Sequence, residues 1–191
     1  MESPTAPTPT EHLDAAYSDD TAQAVPWAAS LARLTAAELA WIVTVRPDGR
    51  PHGTPVVPVV TGGKVYFHTG RHEVKTANLA ANPHVLALVG DTAWQDGLDV
   101  GVEGIAARVT DLEVLRRVAE VFPHRWDGRW SLDVDGGEIA TDAASDAEIV
   151  VFEITPTVVR GHDKGDPFGQ TTYRFAAPTA PTAPRREDHS S

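Results

Sequence analysis

From Leu39 onward the apolar residues take on a period of two, and a chain that does this places the two sides of a strand in different surroundings. Leu39, Trp41, Val43 and Val45 alternate with Ala40, Ile42, Thr44 and Arg46. The run stops at Pro47-Asp48-Gly49-Arg50, a turn sequence that folds the following segment back as a hairpin. That segment, 51–60, carries Pro51, Pro55 and Pro58. Proline has no N–H to give to a neighbour, so an edge or bulged strand is predicted. Its remaining backbone groups either meet something planar and polar or simply guard the edge against aggregation. Spacing alone does not separate these two readings.

The rest of the chain extends the same plan. Thr61-Gly62-Gly63-Lys64 turns into a third strand at Val65. His84–Val89 and Leu98–Thr110 read as the fourth and fifth, and Glu148–Ile154 as a nearly continuous apolar sixth that Val158–Arg160 prolongs past Pro156. A helix is predicted to start near Pro26, with Trp27, Leu31 and Leu34 facing inward, and Thr35-Ala36-Ala37-Glu38 offers a capping box for one more turn. Asp111 is placed to cap a helix over Leu112–Phe122, with Leu112, Leu115, Val118, Ala119 and Phe122 on its inner face and Pro123 as its stop. His124–Gly137, with Trp126 and Trp130, reads as a loop. Six antiparallel strands with helices in the connections predict a mainly β fold, a closed or half-open barrel.

Length and composition bound what this barrel can do. With 191 residues, 41% of them hydrophobic, the chain suits one globular domain with loose ends. Residues 1–24 contain five acids and no Lys or Arg, and 176–191 is rich in Pro, Ala and Thr. Both are predicted to be disordered tails around a folded unit at 25–175. The net charge of -11 argues against non-specific nucleic-acid binding. No apolar run approaches the roughly 18 to 20 residues of a membrane span, and the N-terminus lacks the basic and apolar regions of a signal peptide, so a cytoplasmic protein without membrane partners is expected. The absence of cysteine removes disulfides, thiolate metal sites and cysteine nucleophiles together.

The stretch Val65–Asn78 is the most suggestive chemically. Val65, Tyr66 and Phe67 form strand, His68-Thr69-Gly70 turns, and Glu73 to Ala81 is helix-compatible up to Pro83. The first N–H groups of a helix have no internal partner and favour an anion, phosphate above all. Arg71, Lys75 and Asn78 fall at i, i+4 and i+7, which would stack two cations beside those donors, with Val74, Ala77 and Ala81 as an apolar stripe. A solvated helix face beside an ordinary turn is the plainer reading of the same spacing. The chain has only three lysines against thirteen arginines, so Lys75 at such a point is not mere background.

Common catalytic sets are missing. His72-Glu73-Val74-Lys75-Thr76 begins like a zinc helix but has Thr76 at the second ligand position, and the eight histidines show no other ligand spacing, so no metal site is expected. There is no nucleophile elbow, P-loop or dinucleotide fingerprint.

The succession WIVTVRPDGRPHGTPV at 41–56, VYFHTG with Lys75, Asn78 and NPHV in 65–85, DGLDVGVEG with RVTD in 96–111, and KGDPFGQTTYRF at 164–175 resembles the pyridoxamine 5′-phosphate oxidase-like split-barrel family, in the family's order over essentially 27–175. The resemblance implies a six-stranded antiparallel split β-barrel and a homodimer with two cofactor sites at the interface. It further implies FMN or the deazaflavin F420 as cofactor and oxidoreductase activity on a small molecule. Carried over by position, Thr69, Gly70, Lys75 and Asn78 match the phosphate-binding segment, with His68 and Arg71 beside them. His52, Thr54, Pro55 and Val56 match the strand along the ring system. Gln170, Thr171, Tyr173 and Arg174 match a C-terminal segment that closes the site from the partner subunit, and Trp94 is a further interface candidate. Two positions depart from the family: Val74 and Thr172 stand where relatives commonly carry arginine. A charge-assisted bond is worth on the order of 1.5–3 kcal/mol, so FMN affinity is expected to suffer. No general base is assigned, although Tyr173 or His68 could supply a proton. The alternative from another class is a binding protein that holds a flavin, F420 or haem without turnover, with His68 or His72 as axial ligand for haem. A cofactor-free dimer that keeps only the fold is a third reading.

Overall fold

The computed structural model describes residues 8–126, 132–135, 138–141 and 148–176. In chain order the strands are β1 (Thr10–Leu13), β2 (Ala40–Val45), β3 (Pro51–Val56), β4 (Pro58–Thr61), β5 (Lys64–Gly70), β6 (His84–Val89), β7 (Leu98–Arg108), β8 (Leu132–Asp135), β9 (Glu138–Thr141), β10 (Glu148–Asp163) and β11 (Gly169–Arg174). The helices are α1 (Trp27–Ala36), α2 (Val74–Ala81) and α3 (Leu112–Ala119).

Every strand pairing is antiparallel, and β10 is where the barrel splits. Its first half, from Ile149 to Ile154, bonds to β5, and its second, from Val158 to Asp163, bonds to β11. Its other edge runs along β7, with a register shift between Pro156 and Val158, where proline has no N–H for the ladder. The path continues through β6 and β2 to the proline-bearing β3 at the edge. The mainly β split barrel expected from the sequence is therefore present, with its six principal strands and short additions at the rims. The 51–60 segment breaks at Val57 into two strands with different partners, β3 with β2 and β4 with β5.

The continuous apolar run in β10 follows from burial on both faces. Val150, Phe152 and Ile154 point into the barrel core with Phe67, Ile42 and Val102, while Ile149 and Val151 join a second cluster beneath α3 with Leu115, Val118 and Phe122. Asp111 caps α3 by accepting from the N–H groups of Glu113 and Val114. No helix among the described residues is long and apolar enough to cross a membrane.

Several expectations need correction. Residues 1–24 are not wholly a disordered tail: Thr10–Leu13 pairs with β11, Glu11 Oε1 accepts from the N–H of Trp27 at 2.7 Å, and Asp14 accepts from Gln170 and Thr172. Asp14 and Asp19, which read as tail composition, are bonded to residues about 150 positions away. No extra turn follows α1, because the Thr35 hydroxyl bonds back to Leu31 O at 2.8 Å and Ala37 is extended. The 124–137 segment is not all loop, since Leu132–Asp135 pairs with Glu138–Thr141. Trp130 and residues 177–191 lie outside the described residues.

Candidate functional site

The strand-to-helix junction at the end of β5 forms one wall of a cleft. β5 ends at Gly70, residues 71–73 turn, and α2 starts at Val74. The turn is closed by the Glu73 N–H donating to Gly70 O at 3.1 Å and the Thr76 hydroxyl donating to the same oxygen at 2.8 Å. α2 presents Lys75, Asn78 and Leu79 inward, with Lys75 only 6% exposed. Asn78 Nδ2 donates to Thr44 Oγ1 at 2.9 Å, and that hydroxyl donates to His52 O at 3.4 Å, so one polar chain links α2 through β2 to β3.

The cleft has a volume of about 430 Å³ and is walled by Leu39, Pro55, Val56, Val57 and Ile149, with His68, Thr69, Gly70, Glu73 and Lys75 at its polar end. Of the residues singled out from the sequence, Pro55, Val56, His68, Thr69, Gly70 and Lys75 meet in this one space. His52 and Thr54 lie on β3 beside it, and their buried Nδ1 and Oγ1 atoms find no hydrogen-bond partner among the described residues. Buried polar atoms in that state are costly, and a ligand's polar groups would satisfy them.

At the polar end a carboxylate already sits where an anion is expected. The Gly70 N–H donates to Glu73 Oε1 at 2.9 Å, and the Lys75 ammonium contacts Glu73 Oε2. Burial alone would raise the Glu73 carboxyl; the Lys75 ammonium and the Gly70 N–H more than offset it and hold the group below its ordinary range. Burial pushes the neighbouring His68 imidazole down to about 4, with Glu73 opposing and Lys75 assisting. His68 is thus neutral at pH 7 and packs edge-on against Phe122.

Other candidates sit elsewhere. Arg71 does not stack over Lys75: it precedes α2, and its backbone N–H and guanidinium both donate to Glu148, at 2.9 and 3.2 Å. The stripe of Val74, Ala77 and Ala81 is exposed, not inward. His72 is exposed on the turn, away from the cleft lining. Gln170, Thr171, Tyr173 and Arg174 lie on β11, along the other half of β10. Thr171 and Tyr173 are fully buried within the chain: Thr171 Oγ1 accepts from the Val25 N–H at 2.9 Å, and Tyr173 OH donates to Val25 O at 2.7 Å. Gln170 Nε2 donates to Asp14 at 2.9 Å, and Arg174 is exposed. The chain does not bring these four to its own cleft, and Thr171 and Tyr173 have no surface to offer a partner's.

A larger cavity, about 790 Å³, lies at the far end of β10, lined by the exposed Trp94 with Asp91, Asp99, His162, Lys164 and Phe168. Its lysine is already held by two aspartates, so the smaller cleft at the β5–α2 junction is the better anion site. Sequence reasoning missed both this cluster and the place of Glu73. The three-residue gap between Gly70 and Glu73 was the available signal for the latter.

Residues 27–163 match the family described as Pyridoxamine 5′-phosphate oxidase. No curated protein matches the chain significantly. Among solved structures, a conserved hypothetical protein of Mycobacterium tuberculosis superposes with a TM-score of 0.59 at 23% identity, over 73% of this chain and 85% of that one. A pyridoxamine 5′-phosphate oxidase-related, FMN-binding protein of Nostoc punctiforme gives 0.55 at 15% identity, over 78% and 91%. A haem-binding protein of Mycobacterium smegmatis gives 0.53 at 18%, over 78% and 59%.

Proposed function

Because the chain belongs to the pyridoxamine 5′-phosphate oxidase family, we propose that the β5–α2 cleft binds the phosphate-bearing end of FMN or of the deazaflavin F420, and that the protein is an oxidoreductase acting on a small molecule beside the bound ring. The observation that carries this reading is the cradle of Gly70 N–H and buried Lys75, which already holds a carboxylate. A group that fits one anion in that geometry suits the oxygens of a phosphoester. Val56 supplies an apolar wall of the cleft, and farther along the same strand His52 Nδ1 and Thr54 Oγ1 are polar atoms without partners among the described residues that ring oxygens and nitrogens can satisfy. A bound flavin or deazaflavin would supply hydride transfer, and the protein's part is to hold it, orient it and keep water from its face.

Neither proton donor considered from the sequence suits that part. The Tyr173 phenol is buried and committed to Val25 O, and His68 carries no imidazolium charge at neutral pH. A homodimer with the site at its interface fits the exposed apolar side chains here: Leu39, which lines the cleft, is 51% exposed, as is Trp41 two residues on, and Val74 at the start of α2 is 45% exposed. A second reading is a protein that holds a flavin, F420 or haem without turnover, and the neutral imidazole of His68 in the cleft favours its haem form.

Titration of the purified protein with FMN, F420 and haem, followed by ring fluorescence or the haem band, identifies the bound group, and turnover of the bound flavin or deazaflavin with electron acceptors separates the two readings. Lys75→Ala is expected to weaken FMN or F420 binding tenfold or more; an unchanged affinity would remove the phosphate assignment. A haem band with no flavin binding would favour the second reading.

A further inference from the structure

We propose that Glu73 is a built-in competitor for the cofactor's phosphate, a swinging anion that lowers the site's preference for a phosphorylated flavin over an unphosphorylated one. The proposal rests on the preceding assignment of the cleft.

The geometry is unusual for a surface glutamate. Its two carboxylate oxygens divide between the two donors of the cradle, Oε1 to the Gly70 N–H and Oε2 to Lys75 Nζ. The side chain lies flat on Gly70, where an added Cβ would stand 3.1 Å from Oε1 and 3.2 Å from Cγ. A side chain at position 70 would therefore crowd the glutamate out of its place.

The two members of the pair differ in what they can do without each other. The Lys75 side chain is 7% exposed and opens only on the cleft, so its burial favours an anion beside it. The Glu73 side chain is 52% exposed and sits on the turn just ahead of α2, so it can leave for solvent at little cost. The cation is fixed and its anion is exchangeable. A phosphate entering the cradle must expel Glu73 and then tolerate its negative charge nearby, whereas a flavin without phosphate leaves the pair intact. Glu73 also keeps Lys75 satisfied when no ligand is present, and it remains ionised across the physiological range because Lys75 and Gly70 hold its carboxyl low.

The test compares FMN with riboflavin, which lacks the phosphate, by fluorescence quenching in the wild type, Glu73→Gln and Glu73→Ser. Serine cannot span the distance to Lys75, and glutamine keeps the size but not the charge. FMN affinity is expected to rise about tenfold in both variants, with riboflavin changing by less than about twofold. An FMN-to-riboflavin ratio that stays at the wild-type value in both variants would overturn the proposal. If neither flavin binds any of the three proteins, FMN is removed as the cofactor independently of Glu73, and inorganic phosphate decides the role of Glu73. Phosphate at matched ionic strength should then raise the melting temperature of Glu73→Ser but not of the wild type, and Lys75→Met in the Glu73→Ser background should abolish that rise. Equal shifts in wild type and variant would show that Glu73 does not guard the cradle.

Discussion

The two ends of β10 carry nearly the same set of groups and use them differently. Near Ile149 stand Lys75, Glu73 and His68; near His162 stand Lys164, Asp91 and Asp99. Both lysine side chains are largely covered, 7% exposed for Lys75 and 10% for Lys164, and both histidines are depressed by burial. The difference lies in the number of counter-charges and what they are attached to. Lys164 Nζ meets Asp91 Oδ1 at 2.9 Å, Asp99 Oδ1 at 3.0 Å and Asp91 O at 3.2 Å, while its N–H donates to Gly97 O. Asp99 is itself part of β7, so this lysine fastens the β6–β7 loop to the chain just after β10, and the hydrogen bond it donates to Asp91 leads the contacts that raise its pKa. Lys75 has one carboxylate among the described residues, Glu73 on an exposed turn. A covered lysine with surplus anions on the scaffold is a fastener, whereas one with a single removable anion is a binding site.

That contrast can be broken most strongly through pH. The unfolded chain takes up a proton at the His68 position below about pH 6.5, and the folded protein does so only near 4. Stability is therefore complete above about pH 6.5 and falls as the pH drops toward 4, by about 1.4 kcal/mol per unit at the steepest from this one group. His68→Leu should flatten that fall, measured as urea midpoints at pH 7 and 4.5, leaving the contribution of His162. Equal slopes in the two proteins would mean that the cleft end is as solvated as water. The next effect in size is expected from Lys164→Met, which leaves Asp91 and Asp99 facing each other without their shared cation. The melting temperature should fall by a few degrees while FMN affinity stays within about twofold. Loss of flavin binding in this variant would join the two ends functionally and contradict the division drawn above. The smallest effect belongs to Lys75→Met in the absence of ligand. Removing a buried cation whose partner can turn to water is often neutral or stabilising, so the melting temperature should hold or rise even as the anion site is lost. A clear destabilisation would make Lys75 a fastener too.

Much of the barrel was legible because its signals are local. The Pro47–Arg50 turn, closed by Gly49 N–H to Arg46 O at 2.8 Å with Gly49 at φ +84°, and the limits of the His84–Val89 strand needed no distant partner to be read. Asp111 announced its helix for the same reason. Lys75 and Asn78, three residues apart, fell on one face of α2 as read. Arg71 did not, because helical spacing has no meaning for a residue before the first helical turn. β1 was illegible: Thr10–Leu13 has no strand pattern of its own and is extended because β11 offers it an edge. The same pairing places Asp14 beside Thr172 and beside Gln170, the latter one of the residues that the family resemblance assigned to closing a partner's site.

By itself, then, the sequence determined the strand and helix periods, the hairpin, the family and the residue types at the β5–α2 junction, since each depends on neighbours a few positions apart. Only the tertiary structure decided that Glu73 turns back onto Gly70 and Lys75, that His68 is kept neutral, and that Tyr173 and Thr171 are core. Those outcomes depend on burial and on which charges end up within a few ångströms of one another, which closure of the barrel settles and residue spacing does not encode.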